Sequence, residues 1–324
     1  MRRRDFLQAG GVAAATTFLM NANGLPVSAA DQPAAAKPAV PLTERLCLFT
    51  DHLDDHGFSY VELAKMISPL KIAGPDLTVR GGGVIAPKAV VEELPKAAAA
   101  FKDQGLSIPM LSTNLTSAGD PTARPILSTM GKLGIGYYKL GYYHYHDLSK
   151  WESELVERRK DVSGLLELGK QFNVQAGFHN HAGEGSIGGA LWDAWDLLSP
   201  LDPQGVGFYY DPGHGKVEGS KYTWKVNLQR ISPRLKMVAL KDFVWEKTGS
   251  GWQTRWVPLG QGQVHWSEFF KMLAKFPFPG PMSIHIEYEP GGSTKVERID
   301  NSLAAAQQDI AFVRKHLEQA AKNT

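Results

Sequence analysis

The feature of this sequence that most restricts its fold is a regular alternation of short apolar runs with longer amphipathic stretches. Eight apolar runs recur between residues 46 and 287. The stretches between them place apolar residues three and four positions apart, as helices packed on a sheet do. Eight units of strand and helix predict a single (β/α)8 TIM barrel of the α/β class.

The predicted strands are LCLFT (46–50), DLTVR (76–80), SIPML (107–111), GYYKL (136–140), VQAGF (174–178), VGFYY (206–210), MVALK (237–241) and MSIHIE (282–287). An open, doubly wound sheet is the alternative. No G-x-G-x-x-G motif follows the first strand, as a dinucleotide-binding sheet of that kind would require. The closed barrel is therefore the prediction.

The N-terminal segment predicts export. Arginines precede a short Ala- and Gly-rich run, and small residues then offer a cleavage site. The sequence RRDFLQ resembles the twin-arginine (Tat) signal pattern R-R-x-F-L-K and departs from it only at Gln8. We predict a signal at 1–30, a flexible Pro/Ala leader at 31–41 and the barrel at 42–324. The resemblance implies folded export to the periplasm or the medium.

Composition excludes several classes of partner. The 35 basic residues nearly balance the 33 acidic ones, so binding to nucleic acid by charge attraction is not expected. The apolar run of the signal is too short to predict a stable membrane anchor. The single cysteine, Cys47, excludes an intramolecular disulfide and lies in an apolar run that predicts a core position.

Polar residues gather where the predicted strands end, which is the edge that carries the active site in such barrels. A single histidine there is more often a hydrogen-bonded core residue than a ligand. Convergence of several strand ends favours a shared site. The residues concerned are Lys139 near the end of the fourth strand, His179 and His181 after the fifth, Asp211 and His214 after the sixth, Lys241 at the end of the seventh and Asp242 after it, and His285 and Glu287 on the eighth.

Four segments, in order and at barrel spacing, resemble a known family. They are FHNHAGE, YYDPGHG, VALKDF with PLGQGQVHW, and MSIHIEYE. They resemble the xylose-isomerase-like barrels, in particular the sugar phosphate isomerase/epimerase family, over about residues 44–318. The resemblance implies one divalent metal (Mn, Co, Zn or Fe) held by His179, Asp211 and Glu287. Such a metal would polarise a substrate carbonyl and acidify the adjacent C–H.

Further roles follow from the same resemblance. Glu287, Lys241 and His181 are the candidate catalytic residues. The candidate substrate contacts are His214, Lys139, His285 and Trp245, the last on the loop after the seventh strand, where its ring would stack on a sugar or simply pack.

Two departures from the family's pattern bear on the mechanism. Ala239 stands where many relatives have a histidine ligand, and Lys241, two residues on, is either a general base or an ion-pair partner. His179 stands where the sugar 3-epimerases have a glutamate, which puts a two-glutamate epimerisation in doubt. Glu287 would then be ligand or base, with Lys241 or His181 as second proton carrier.

We therefore expect an exported, metal-dependent isomerase or epimerase-like enzyme that acts on a small sugar or keto-sugar. The alternatives are a lyase that acts by β-elimination on a 3-keto-glycoside, and a sugar-binding barrel without catalysis. An endonuclease-type barrel with three zinc ions is disfavoured, since candidate ligands and positive charge are too few. The sequence makes no prediction of the oligomeric state.

Overall fold

The computed structural model describes residues 40–54 and 57–322, in which eight parallel strands close into a barrel. The predicted signal (1–30) and most of the predicted leader (31–41) lie outside the described residues and remain predictions. The strands are β1 (Leu46–Phe49), β2 (Gly74–Val79), β3 (Met110–Thr113), β4 (Tyr137–Lys139), β5 (Gln175–His179), β6 (Val206–Tyr210), β7 (Leu235–Leu240), β8 (Asp242–Thr248), β9 (Gly251–Val257) and β10 (Met282–Ile284). The barrel order is β1-β10-β7-β6-β5-β4-β3-β2, and β8 pairs with β9 alone.

Helices connect the strands along the outside of the barrel. They are α1 (Asp51–Asp54), α2 (Tyr60–Ile67), α3 (Val90–Asp103), α4 (Ala123–Leu133), α5 (Trp151–Lys170), α6 (Trp192–Leu198), α7 (Pro212–Val217), α8 (Thr223–Ile231), α9 (Trp266–Leu273) and α10 (Lys295–Ala321). Among the described residues, none of these helices has both the length and the apolar character needed to cross a bilayer.

The predicted barrel is confirmed, and all eight predicted runs contribute a strand. The third runs over Met110–Thr113 rather than 107–111, and the last ends at Ile284 rather than at residue 287. For the last strand the cause lies in its neighbour. Strand β1 pairs with β10 only as far as Leu48 and turns into α1 at Asp51. His285 and Glu287 therefore lie on the loop that follows β10.

An antiparallel hairpin replaces the expected loop after the seventh strand. Strand β8 pairs with β9 from Asp242↔Val257 to Thr248↔Gly251. The sequence carried a signal for it, since the alternating runs FVWEKT and WQTRWV flank the glycine-rich segment GSG. This hairpin carries Trp245, Trp252 and Trp256.

Two separate groups of apolar side chains fill the fold. The larger one lies between the sheet and the helices. The smaller one consists of Cys47, Met110, Tyr209, Met237 and Ala239. Because side chains alternate across a strand, these five point into the barrel. The core position predicted for Cys47 is thus what the structure shows.

Asp242 holds the chain that returns from the hairpin. Its fully buried carboxylate accepts hydrogen bonds from the backbone N–H groups of Phe243, Gly260, Gly262 and Val264 at 2.9 to 3.1 Å. The indole N–H of Trp266 also donates to it, at 2.8 Å. A buried carboxylate is tolerated only with such partners. The segments VALKDF and PLGQGQVHW therefore belong to one structural unit.

Gly262 leaves no room for a side chain in this unit. A Cβ there would overlap the Asp242 carboxylate and the Phe243 carbonyl. We predict that Gly262→Ala lowers the free energy of unfolding by about 2 to 3 kcal/mol in urea titrations. The control is Gly249→Ala in the hairpin turn, where a Cβ meets no heavy atom within 4 Å and the change should stay within about 0.5 kcal/mol. Equal effects at the two sites would contradict the assignment.

Candidate active site

The candidate site is built from the ends of β5, β6 and β7 and from the loop after β10. His179 is the last residue of β5. Asp211 follows β6 directly and caps α7, where its Oδ1 accepts the N–H of His214 at 3.0 Å. Lys241 links β7 to the hairpin. Parallel strands end at one rim of the barrel, which brings these distant positions together.

His179, Asp211 and His214 form a buried group. The Nε2 atom of His179 lies 3.3 Å from Oδ2 of Asp211, and that of His214 lies 3.9 Å from the same oxygen. One potential ligand atom from each of the three residues lies within 4.8 Å of the others. Burial, with a smaller contribution from the charge of Lys241, holds the pKa of both histidines well below its usual value. Both rings are therefore neutral at pH 7.

The hydrogen bonds of the two rings differ. Nε2 of His179 lies 3.3 Å from Oδ2 of Asp211, and because a carboxylate only accepts, Nε2 carries the proton in that contact. The hydroxyl of Tyr142 lies 3.3 Å from Nδ1 and can accept the proton there when Nε2 binds a metal instead. The N–H of Ala182 donates to Nδ1 of His214 at 3.1 Å, so the neutral ring carries its proton on Nε2. Nε2 of His214 is buried and has no hydrogen-bond partner among the described residues. His179 is thus suited to metal binding, and His214 to hydrogen-bond donation.

Lys241 forms an ion pair with Glu287. Its Nζ lies 2.9 and 2.8 Å from the two Glu287 oxygens and 3.6 Å from Oδ2 of Asp211. The ring of Trp256 covers the ammonium at 4.2 Å from its centroid. Burial raises the pKa of Glu287, but Lys241 and His285 together outweigh it and lower that pKa. Glu287 is therefore ionised at neutral pH, and Lys241 is the ion-pair partner that the sequence left as an alternative.

His181 is held as a neutral ring with one free lone pair. Its Nδ1 lies 2.7 Å from the carbonyl of Ala182, and because a carbonyl only accepts, Nδ1 carries the proton. Nε2 is then unprotonated. Burial, followed by the charge of Lys241, lowers the pKa of His181. Its ring contacts that of His214, with the centroids 3.9 Å apart and the ring planes tilted by 42°.

A cleft of about 530 Å³ opens over these groups. Its size suits a small-molecule ligand. We call it the strand-end cleft; its wall consists of His181, Ala182, Gly183, His214, Val217, Glu218, Trp245, Trp252, Gln253, Thr254, Trp256 and Glu287. The three tryptophans come from the β8–β9 hairpin, so Trp245 lies where a substrate contact was predicted.

A sequence profile described as xylose isomerase-like TIM barrel matches residues 50–316. The chain belongs to this family. None of the curated proteins compared with it matches its sequence.

Solved structures share this xylose isomerase-like barrel. A xylose isomerase-like TIM barrel protein from Mycobacterium smegmatis, in complex with magnesium, has a TM-score of 0.64 and 14% identity over 86% of this chain and 98% of its own. A D-psicose 3-epimerase from Clostridium cellulolyticum H10, with D-tagatose, has a TM-score of 0.63 and 13% identity over 84% of this chain and 99% of its own. A 3-keto-D-glucoside 4-epimerase from E. coli has a TM-score of 0.60 and 13% identity over 84% of this chain and 99% of its own. At these identities the likeness shows the fold.

The metal ligands expected in this xylose isomerase-like chain are only partly assembled. His179 and Asp211 present donor atoms to one point, and imidazole with carboxylate suits a divalent transition metal. Glu287, the third expected ligand, is bound by Lys241 instead. Ala239 is buried among apolar side chains inside the barrel and provides no donor. Of the three described residues close enough to share an ion, His179 and Asp211 therefore fit a metal, whereas His214 presents Nε2–H.

Lys139 and His285, both predicted as substrate contacts, lie behind the cleft wall. Lys139 donates to the carbonyl of Leu140 at 3.0 Å, and its Nζ lies 4.0 Å from the Tyr142 ring centroid. His285 stacks on Phe49 and places Nδ1 3.2 Å from Glu287. Lys139 points into the barrel because side chains alternate along β4. The contacts of His285 with Phe49 and Tyr209 place its ring there as well. His285 is thus placed to position Glu287.

Sequence reasoning missed the groups beneath His285. Its Nε2 lies 3.0 Å from the hydroxyl of Tyr209, which in turn lies 3.2 Å from Oδ2 of Asp76. Ser283 donates to the same oxygen at 2.8 Å. The available signal was an aspartate on the inward face of an apolar strand, which is costly to bury without partners. This series of hydrogen bonds from Asp76 through Tyr209 to His285 supports Glu287 from the barrel interior.

The state of Lys139 predicts a pH dependence of stability. Burial, followed by the charge of Arg80, lowers the pKa of Lys139 to about 7. An unfolded lysine keeps its proton up to about pH 10.4. Between pH 7 and 10 the unfolded chain therefore binds more protons, and this group makes stability rise with pH, by up to about 1.4 kcal/mol per unit.

We predict that Lys139→Met removes this rise. Free energies of unfolding from urea titrations at pH 7.5 and 9.5 give the slope for each variant. The matched control is Lys160→Met, which replaces an exposed lysine on α5 and should keep the slope of the unsubstituted protein. An unchanged slope in Lys139→Met would show that Lys139 does not carry the effect.

Proposed function

We propose that the chain is an isomerase or epimerase-type enzyme that removes a proton from the carbon next to the carbonyl of a sugar or keto-sugar. The observation that carries this proposal is that two proton acceptors and one N–H donor line a single cleft: Glu287, His181 and His214. The sugar epimerases among its structural neighbours support the same class of reaction.

Glu287 is the proposed base. The ion pair with Lys241 keeps its carboxylate ionised, and the side chain remains 26% exposed to the cleft. Lys241 itself is almost fully buried behind it. A carboxylate positioned in this way can take a proton whose acidity the neighbouring carbonyl has raised.

His181 is the proposed second proton carrier. Its unprotonated Nε2 can accept a proton from, or return one to, a substrate that Glu287 also contacts. His181 would thereby take the part that a second glutamate, at the end of β5, plays in the sugar 3-epimerases. Epimerisation uses both carriers, whereas isomerisation needs only one.

His214 is the proposed donor to the substrate oxygen. Its Nε2–H has no hydrogen-bond partner in the described part of the chain, and the bond from Ala182 fixes its direction. Removal of the proton places negative charge on the former carbonyl oxygen. A preorganised N–H donor stabilises that charge without reorganisation.

We further propose one divalent metal (Mn, Co, Zn or Fe), held by His179 and Asp211. When bound, it supplies polarisation of the substrate carbonyl and an adjacent hydroxyl. Because Lys241 holds Glu287 and Nε2 of His214 carries a proton, the described residues at this rim offer two strong ligands. The ion should therefore be readily removed by a chelator.

Exchange with heavy water tests the proton abstraction. Ketohexoses and 3-keto-glucose are incubated with the protein in D₂O, and NMR follows deuterium incorporation next to the carbonyl. Glu287→Gln should slow exchange at least about 100-fold. His181→Gln should allow exchange but little inversion. The controls Glu157→Gln and His146→Gln change exposed side chains and should behave as the unsubstituted protein.

The same experiment separates the alternatives. A lyase would remove the same proton but then expel the glycosidic oxygen, and an unsaturated ketone would absorb in the ultraviolet. Sugar binding without deuterium incorporation in any substrate would contradict the enzymatic proposal and favour a binding barrel.

Plasma mass spectrometry tests the metal. The protein purified without chelator should carry about one divalent metal per chain, and Asp211→Asn or chelator treatment should remove both the metal and the exchange. A metal retained in Asp211→Asn would overturn the assigned ligands. If a protein without metal still catalysed deuterium exchange, the N–H donors of the protein would be sufficient to polarise the substrate carbonyl.

We also propose that residues 1–30 direct export to the periplasm or the medium. Replacement of Arg3 and Arg4 by lysine should leave the precursor in the cytoplasm, because the twin-arginine pattern is the part of the signal that the export machinery recognises. Cell fractionation with antibody detection measures this. Unchanged export of the variant would exclude the twin-arginine route.

A further inference from the structure

A second cleft, of about 830 Å³, adjoins the strand-end cleft. We call it the α10 cleft; it is lined by Thr254, Arg255, Trp256, Pro258, Glu287, Tyr288, Glu289, Pro290, Asn301, Ala304, Ala305 and Gln308. Thr254, Trp256 and Glu287 line both clefts. The two therefore form one groove, and the proposed base lies where they join.

The groove is larger than a single sugar needs. Sites of roughly 300 to 1,000 Å³ suit a whole drug-sized ligand, and each of the two clefts alone reaches that range. A monosaccharide placed against His181 and Glu287 would leave the α10 cleft unused. The α10 cleft thus has room for a ligand that extends past Glu287.

The lining of the α10 cleft suits a neutral, hydroxylated group. Helix α10 faces it with Asn301, Ala304, Ala305 and Gln308, a spacing of three, four and seven residues that puts all four on one side. The alanines leave room, and the amides can both donate and accept hydrogen bonds. Trp256 offers an aromatic wall at the junction.

The lining of the α10 cleft carries more negative than positive charge. Arg255 stands there with Glu287 and Glu289, and it is already paired with Glu246 at 3.2 Å. A cleft for a phosphate group would instead concentrate cations and N–H donors. The lining therefore favours a second sugar unit over a phosphorylated substrate.

We propose that the α10 cleft is a subsite for the second unit of a glycoside, so that the substrate is a keto-disaccharide or a larger keto-glycoside rather than a free monosaccharide. The oxidised unit lies against His181 and His214, and the second unit lies against α10. This rests on the proposed function and names its substrate class.

Substitution of Ala304 tests the subsite. Ala304→Phe fills the α10 cleft from an exposed position, and Ala311→Phe places the same ring at an exposed alanine of the same helix outside the cleft. The measured quantity is the ratio of kcat/KM for the 3-keto derivative of maltose to that for 3-keto-glucose. The unsubstituted protein should favour the disaccharide by about tenfold, as an added hydrogen-bonded and stacked unit would provide. Ala304→Phe should lose this ratio, and Ala311→Phe should keep it.

A ratio near one in the unsubstituted protein, or an equal ratio in all three proteins, would overturn the subsite. If no keto-sugar is turned over, the proton-transfer proposal fails, and the subsite is then tested by tryptophan fluorescence titration with the same two sugars. Tighter binding of the disaccharide that only Ala304→Phe abolishes would support the subsite alone. Equal affinities for the two sugars would overturn it as well.

Discussion

The site depends on one buried cation. Lys241 is enclosed at the end of β7 by the carboxylates of Glu287 and Asp211 and by the ring of Trp256. Removing any one of these charges would leave another without compensation in a region that excludes water, which is costly. The lysine thereby keeps Glu287 ionised and, after burial, is the next largest cause of the lowered pKa of His179 and His214.

A second set of contacts fixes the direction of the polar groups. Ala182 contributes both its N–H, to His214, and its carbonyl, to His181. The peptide groups of this one residue thus set opposite tautomers in two neighbouring rings, so that a donor and an acceptor face the same cleft. Below them, Asp76, Tyr209 and His285 hold Glu287 from the barrel interior. Function would then be expected to rely on residues that never touch a substrate.

The β8–β9 hairpin turns an open barrel rim into a groove. Asp242, at the start of the hairpin, holds the chain that follows it, so the tryptophans stand on a fixed base. The hairpin supplies wall residues to both clefts, and α10 supplies the far wall of one of them. The shape of the groove is therefore a property of elements outside the eight barrel units.

The sequence by itself was sufficient to predict the barrel, because the local periodicity of apolar residues indicates each strand and helix. It also predicted that His179, Asp211, His214, Lys241 and Glu287 meet, since all lie at or just after the ends of strands that share one rim. It could not decide how these side chains pair. Lys241 binds Glu287 across 46 positions of the chain, and Lys139 and His285 turn inward rather than into the cleft. Only the tertiary structure decided those contacts, because a hydrogen bond or ion pair depends on distances of a few tenths of an ångström between side chains far apart in sequence.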